Sequence, residues 1–287
     1  MENQTETTSI GGSNQKMRIT ASGIQLFNRK NGFNILLDEV EVAPAFWAQA
    51  PRQVSIALTN ICDLSCAFCY APKNRASLNA ATVIAWIREL DANGCLGIGF
   101  GGSEPTLYRK FPALCKWVTE QTQLAVTFTT HAHRIDERLA AQLEGYVHFI
   151  RVSMDGVAAT YENLRNRPFG TLQKHLRIVR QLAPFGINFI VNSRTFPELD
   201  CAIQLAAEFG AREFLLLPEQ PVRAGGGIDE ATLQALGDWI PAYAGPLQLA
   251  IQALAKYQIL STKYCSQKHK NRRKAVYGFD IWLIVIY

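Results

Sequence analysis

No stretch of this 287-residue chain is apolar for long enough to cross a bilayer, and no early apolar run has the form of a secretory signal. Those absences point to a soluble, cytoplasmic protein. Cysteine is scarce late in the chain: only Cys265 lies beyond residue 201, and the total of seven is odd. A disulfide framework belongs to short secreted chains with paired cysteines, so these point instead to metal or to chemistry. Acidic residues are missing from 263–274, KYCSQKHKNRRK, which carries six Lys and Arg. Taking those six from the 29 basic residues leaves 23 against 24 acidic ones. The net charge of +5 is therefore one local patch, not a basic face of the kind that binds nucleic acid.

What is present is ample apolar material, 48% of the chain, enough for one large core with appendages. Residues 1–16 are polar and uncapped and are expected to be disordered. Residues 17–52 form an N-terminal extension in which 18–40 read as a β-hairpin around the polar turn NRKNG. From Val54 short apolar runs alternate with amphipathic stretches. The expected strands are VSIALT (54–59), LGIGF (96–100), LAVTFTT (124–130), VHFIRVSM (147–154), INFIVNS (187–193) and EFLLLP (213–218). Between the first two, Val83, Trp86, Ile87 and Leu90 fall on one helical face, and Asn93–Gly94 ends that helix. Six such units over 53–220 imply an α/β fold with a parallel sheet and helices outside, as an open sheet or a barrel. In either form, function sits at the carboxyl ends of the strands. Residues 221–287 read as a small C-terminal extension closing on the apolar YGFDIWLIVIY, which either completes a sheet or marks a shortened auxiliary domain.

The first strand runs directly into TNICDLSCAFCYAPK, so Cys62, Cys66 and Cys69, spaced C-x3-C-x2-C, lie on that functional rim. A zinc site needs a fourth ligand, which His131 or His133 after the third strand could supply. Structural cysteines sit in apolar elements, unlike these beside Asp63 and Ser65. The third reading is an iron–sulfur cubane. Three thiolates leave one iron without a protein ligand, and open positions are where metals do chemistry.

That spacing, with the aromatic Phe68 before the last cysteine, resembles the radical S-adenosylmethionine (radical SAM) superfamily. Three further segments share the resemblance: GFGGSEPTL (99–107), VSMDG (152–156) and YENLRNRPFG (161–170). It covers residues 53 to about 218 and implies a partial (β/α)6 TIM-like barrel. It also implies a [4Fe–4S] cluster on Cys62, Cys66 and Cys69, with S-adenosylmethionine (SAM) on the open iron. In that family an electron from the cluster breaks the sulfonium C–S bond, and the resulting 5′-deoxyadenosyl radical takes a hydrogen from substrate. The implied cofactor neighbours are Phe68 and Tyr70 at the cluster, and Gly101, Gly102, Ser103, Glu104 and Pro105 at the SAM amino group. Ser153 is expected to bond the ribose or carboxylate, with Asp155 beside it, and Arg165 to clamp the carboxylate. Asn192, Leu216 and Leu217 are expected against adenine. Asn192 equally suits a cap on the segment after it, and Asp155 a simple turn.

The sequence departs from the pattern at TTHAHR, where His131 and His133 are expected to touch substrate or to cap the helix 135–144. Cys95, Cys115 and Cys201 lie singly in apolar-patterned segments, so a second full cluster is not expected. Taken together, the segments resemble maturases of ribosomally made peptides, and the region LFNRKNGFNILLDEV to CDLSCAFCYAPK resembles splicease-like members. The implied partners are a precursor peptide and a reductant such as flavodoxin or ferredoxin. A separate leader-recognition protein is also expected, because the 52 residues before the first barrel strand are few for a winged-helix domain that takes a leader as an added strand. Two alternatives stay open. One is RNA modification with KHKNRRK on phosphates, though aromatics for stacking are lacking there. The other is a non-catalytic metal-binding partner subunit.

Overall fold

A computed structural model describes residues 14–72, 74–222, 226–251 and 285–286. The basic segment 263–274, with Cys265, lies outside them.

The N-terminal extension is one strand richer than a hairpin. Gln15–Thr20 (β1), Gly23–Asn28 (β2) and Asn34–Leu37 (β3) form an antiparallel sheet in that order. The expected first arm breaks at Ala21–Ser22 because Gly23 turns the chain at φ +112°. A Cβ there would meet the Leu37 carbonyl oxygen at 2.0 Å, so only glycine fits. Gln15 and Lys16, expected to be disordered, belong to β1.

The alternation of a strand sorts this sheet's side chains onto two faces. Phe27 is buried with Leu96 and Ala125 of the main domain. Lys16 pairs with Asp91, and Arg18 Nη1 donates to the Gly94 carbonyl at 2.6 Å. Arg29 donates to the carbonyls of Thr119, Thr122 and Leu124 at 2.9, 2.8 and 3.1 Å. These carbonyls close the carboxyl ends of the helices Ala80–Ala92 (α1) and Phe111–Gln121 (α2), where a cation is favoured. Met17, Leu26 and Ile35 form a register row on the opposite, exposed face.

The main sheet contains every strand that the apolar runs indicate: Gln53–Thr59 (β4), Gly97–Gly102 (β5), Ala125–Thr130 (β6), Phe149–Ser153 (β7), Phe185–Val191 (β8) and Glu213–Pro218 (β9). Gln248–Ile251 (β10) adds to β9, and Val285–Ile286 (β11) pairs with Ser55 and Ile56 of β4. All these pairings are parallel, in the order β10-β9-β8-β7-β6-β5-β4-β11. The intervening helices are α1, α2, Glu137–Leu143 (α3), Ala158–Arg165 (α4), Phe169–Leu182 (α5), Leu199–Glu208 (α6) and Glu230–Ala242 (α7). This is a mixed α/β fold of the partial (β/α) barrel kind. No described helix is long and apolar enough to cross a membrane.

Register fixes what each face of the sheet does. Ile56, Phe100, Phe128, Ile150 and Phe185 stand side by side across five strands, each at most 1% exposed. They belong to the core cluster with Val83, Ile87, Phe111, Leu114, Leu172 and Leu176 of the helices. Burial of each such side chain contributes roughly 1.5–3 kcal/mol. Neighbours along each strand turn to the barrel interior, where Ser55, Thr127, Arg151, Ser153 and Asn188 replace the apolar row.

Candidate active site

The cysteine loop leaves the carboxyl end of β4 and is closed at its base. Thr59 bridges to Ser77, with its hydroxyl 2.7 Å from Ser77 Oγ and donating to the Ala76 carbonyl at 3.1 Å. Leu64 and Ala71 anchor the loop in the interior. Cys66 is buried, while Cys62 and Cys69 are half-buried. The Cys69 N–H donates to the Cys66 carbonyl at 3.2 Å, and the Leu64 N–H to Cys62 Sγ at 3.4 Å. The donation to Cys62 Sγ favours its thiolate. Phe68 is half-buried, whereas Tyr70 is 57% exposed.

Beside it, β5 ends in Gly101–Gly102. Gly102 has φ +90°, and a Cβ there would lie 2.7 Å from Ala57 Cβ of β4. The glycine thus serves contact between two strand ends. The following residues stitch this turn to the cysteine loop: Ser103 Oγ donates to the Asn60 carbonyl at 3.0 Å, and the Glu104 N–H to the Ile61 carbonyl at 3.1 Å. Pro105 is buried and starts a short 3-10 turn. Glu104 is only 1% exposed, and its carboxylate accepts from Thr106 N–H, Thr130 Oγ1 and His131 N–H at 3.2, 2.9 and 3.0 Å. Its side chain is a bolt between the ends of β5 and β6.

His131 and His133 do not share one role. The His133 N–H donates to His131 Nδ1 at 3.1 Å, which leaves the His131 proton on Nε2. That N–H points at Asp63 Oδ1, 2.8 Å away, with Glu104 Oε2 at 3.2 Å. Cys62 Sγ, Asp63 and His131 Nε2 lie within 4.8 Å of one another, a group that could hold a metal ion. With Nδ1 accepting from the His133 N–H, His131 Nε2 acts there as a donor. Asp63 is further tied to Arg134 at 3.3 Å, and its carbonyl accepts from Arg167 at 2.9 Å. Burial would raise the Asp63 carboxyl, but its contacts with His131 and Arg134 outweigh burial and hold it below the usual carboxylate range. His133 lies behind, 2.7 Å from the buried Tyr161 hydroxyl. Burial, with His131, His175 and nearby arginines, pushes His133 down to about 4, so it is neutral. Neither histidine caps α3, whose first turn is capped by Asp136.

The end of β7 and α4 complete the rim. The Asp155 carboxylate, 1% exposed, accepts from the Ile190 N–H at 2.8 Å and from Arg165 Nε at 2.7 Å, with Arg165 Nη2 also bonded to it. Arg165 Nη1 lies 3.6 Å from Cys66 Sγ, and the guanidinium sits 5.2 Å from the centre of the Phe68 ring. Burial would lower the Arg165 pKa, but Asp155 and Cys66 together raise it above its ordinary value. α4 is held in turn by Glu198, which accepts from the Val157 N–H at 2.7 Å and from Thr160.

The three expected adenine neighbours, Asn192, Leu216 and Leu217, sit in different surroundings. Leu216 is fully buried in the hydrophobic core, because its position on β9 faces the helices. Leu217 is half-buried on the interior face with Leu215, the register neighbour of Asn188. Asn192 caps its own turn: Oδ1 accepts from the N–H groups of Arg194 and Thr195 at 2.9 and 3.1 Å, and Nδ2 donates to Glu219 at 2.6 Å. Cys95 and Cys115 are buried in the core, but Cys201 is exposed on α6. The clamps on the cysteine loop from His131, Arg134 and Arg167 carry no signal in the sequence, since they come from 68 to 104 residues away.

Comparison with known proteins decides the family. The profile of the radical SAM superfamily matches residues 56–209, more than half of the chain. The chain belongs to the radical SAM superfamily. It is 26% identical over 184 residues to the sporulation killing factor maturation protein SkfB of Bacillus subtilis, covering 61% of this chain and 45% of that one. It is also 26% identical over 169 residues to the PqqA peptide cyclase of Rhodopseudomonas palustris, covering 56% and 45%. The chain thus spans about half the length of these relatives. Among solved structures, Streptococcus suis SuiB bound to precursor peptide SuiA matches with a TM-score of 0.68 at 16% identity, over 89% of this chain and 74% of that one. SuiB bound to S-adenosylmethionine gives 0.67 at 16%, over 86% and 73%. At that identity the likeness is one of fold.

Proposed function

We propose that this radical SAM enzyme matures a ribosomally made precursor peptide in the cytoplasm. The observation that carries the reading is the placement of Arg165. It is held by Asp155 at the end of β7, stands 3.6 Å from Cys66 Sγ and lies over Phe68. The cysteine loop and the β7–α4 region, 99 residues apart at Cys66 and Arg165, converge on one point of the rim.

The donor set fits a [4Fe–4S] cluster. Three cysteines on one loop suit a cubane with an open iron, which Cys62, Cys66 and Cys69 would hold. Arg165 offsets the negative charge that three thiolates bring. When bound, the cluster supplies the electron that cleaves SAM to a 5′-deoxyadenosyl radical. The chain's own residues hold and orient. Cys62, Cys66 and Cys69 are the ligands, bordered by Phe68 and Tyr70. Gly101 and Gly102, followed by Ser103, Glu104 and Pro105, form the turn beside the cysteine loop that would receive the SAM methionyl group. Ser153 and Leu217 face SAM from the interior, and Asp155 aims Arg165 toward the SAM carboxylate.

A peptide substrate is supported by the relatives: a maturation protein, a peptide cyclase and, by fold, an enzyme bound to a precursor peptide. A flavodoxin or ferredoxin would supply electrons, and a separate protein would present the leader. The test is 5′-deoxyadenosine release by anaerobically reconstituted protein given SAM and a strong reductant. Release that is lost in Cys66→Ala, together with the iron and sulfide content, supports the reading. Zinc in place of iron, with no release, sinks it.

A further inference from the structure

The barrel interior beneath the rim holds polar groups beyond the residues assigned above to the cluster and SAM. In one layer Arg151 on β7 stands in register with Gly186 on β8, and Gly186 with Glu213 on β9. Arg151 Nη2 donates to Glu213 Oε1 at 2.6 Å across the intervening strand. Gly186 permits the crossing, since a Cβ there would lie 2.7 Å from Glu213 Cγ. One layer nearer the rim, Ser153 is in register with Asn188, and Asn188 with Leu215. Two atoms in these layers are screened from solvent and, among the described residues, have no hydrogen-bond partner: Arg151 Nη1, a donor, and Asn188 Oδ1, an acceptor. Asn188 is only 9% exposed. Folded proteins seldom leave such atoms unpaired, so each needs a physical account. Arg151 and Asn188 sit diagonally on adjacent strands and on one face.

Charge selects the ligand class. Arg151 is already neutralised by Glu213, with Phe149 stacked 5.5 Å from its guanidinium. An anion would bring a second carboxylate against Glu213 and face the lone pairs of Asn188 Oδ1. A cation would meet Arg151. A neutral carboxamide supplies a carbonyl for the guanidinium and an N–H for the asparagine oxygen in one planar group. We propose that the barrel interior binds a neutral carboxamide of the substrate peptide, its carbonyl accepting from Arg151 Nη1 and its N–H donating to Asn188 Oδ1. The inference rests on the peptide-maturase reading above and names the group by which that peptide is held.

The test uses anaerobic holoenzyme with SAM and three blocked tripeptides, Ala-Asn-Ala, Ala-Ala-Ala and Ala-Asp-Ala, in calorimetric titrations and crystal soaks. The neutral peptides are expected to bind at least about tenfold more tightly than the aspartate one, with an amide seated on Arg151 and Asn188. Preference for asparagine over alanine supports a side-chain amide, and equal binding supports a backbone amide. Asn188→Leu is expected to erase the preference. The charge-balanced double variant Arg151→Met with Glu213→Gln should lose peptide binding while keeping a cooperative unfolding transition. Aspartate binding equally well, no binding by any peptide, or an Asn188→Leu protein that loses SAM affinity instead would each overturn the proposal. These readouts need no turnover. Their failure is therefore distinct from failure of the radical SAM reading, which 5′-deoxyadenosine release tests.

Discussion

Asp155→Ala tests how the rim is held. The wild-type carboxylate accepts from the Ile190 N–H at 2.8 Å and from Arg165 Nε at 2.7 Å, at 1% exposure against 11% for Arg165. Removing it leaves a buried guanidinium without its carboxylate. Loss of one partner of a buried ion pair costs about 3–5 kcal/mol. The Ile190 N–H is orphaned as well, which by itself costs roughly 1–3 kcal/mol but overlaps with the first loss. We expect a total of at least about 3 kcal/mol, a large share of a domain's stability of about 5–15 kcal/mol. The assay is urea unfolding of anaerobically purified apoprotein at neutral pH, for Asp155→Ala, Arg165→Met and the pair together. The double variant should be more stable than the sum of the two losses predicts, by at least about 1 kcal/mol, because each single change strands the other partner. A loss below about 1 kcal/mol for Asp155→Ala, or strict additivity, would refute the claim that this pair organises the rim.

Three further outcomes are expected. Gly102→Ala places a Cβ 2.7 Å from Ala57 Cβ at a φ of +90°, so it should cost about 1–3 kcal/mol and weaken SAM binding; unchanged affinity and melting temperature would count against the strand-end contact. Burial, with Arg29 nearby, lowers His148 from 6.5 to about 4, so the unfolded chain takes up a proton below pH 6.5 that the folded protein refuses until about pH 4. Stability should therefore fall as pH drops through that window. His148→Gln, which keeps an acceptor for the Val126 N–H, should flatten the decline in thermal melts, and an unaltered pH profile would exclude the effect. Arg29→Ala strands the carbonyls of Thr119, Thr122 and Leu124, a loss of about 1.5–3 kcal/mol, and should speed limited proteolysis within residues 15–37.

The barrel strands were legible because each is buried in a parallel sheet and reads as an apolar run between helical patterns. The helix at 80–92 was legible from Val83 and Ile87 at helical spacing and from its stop at Gly94, which takes φ +86°. The break that turns a hairpin into three strands was not legible, because it depends on Gly23 approaching Leu37 across the sheet. Leu216 and Leu217 could not be told apart by composition; register on β9 sends one into the core and the other to the interior. Asn192 carried both readings, and the partners folded around it make it a cap.

By itself the sequence determined the cysteine triplet, the order of strands and helices, and the rim on which the chemistry sits, since spacing and periodicity are local properties. Only the tertiary structure decided which side chains serve that rim. Asp63 with His131, Asp155 with Arg165 and Cys66, and Arg151 with Glu213 are pairings across 10 to 99 residues. Their energies depend on burial and distance, which exist only once the sheet has closed around them.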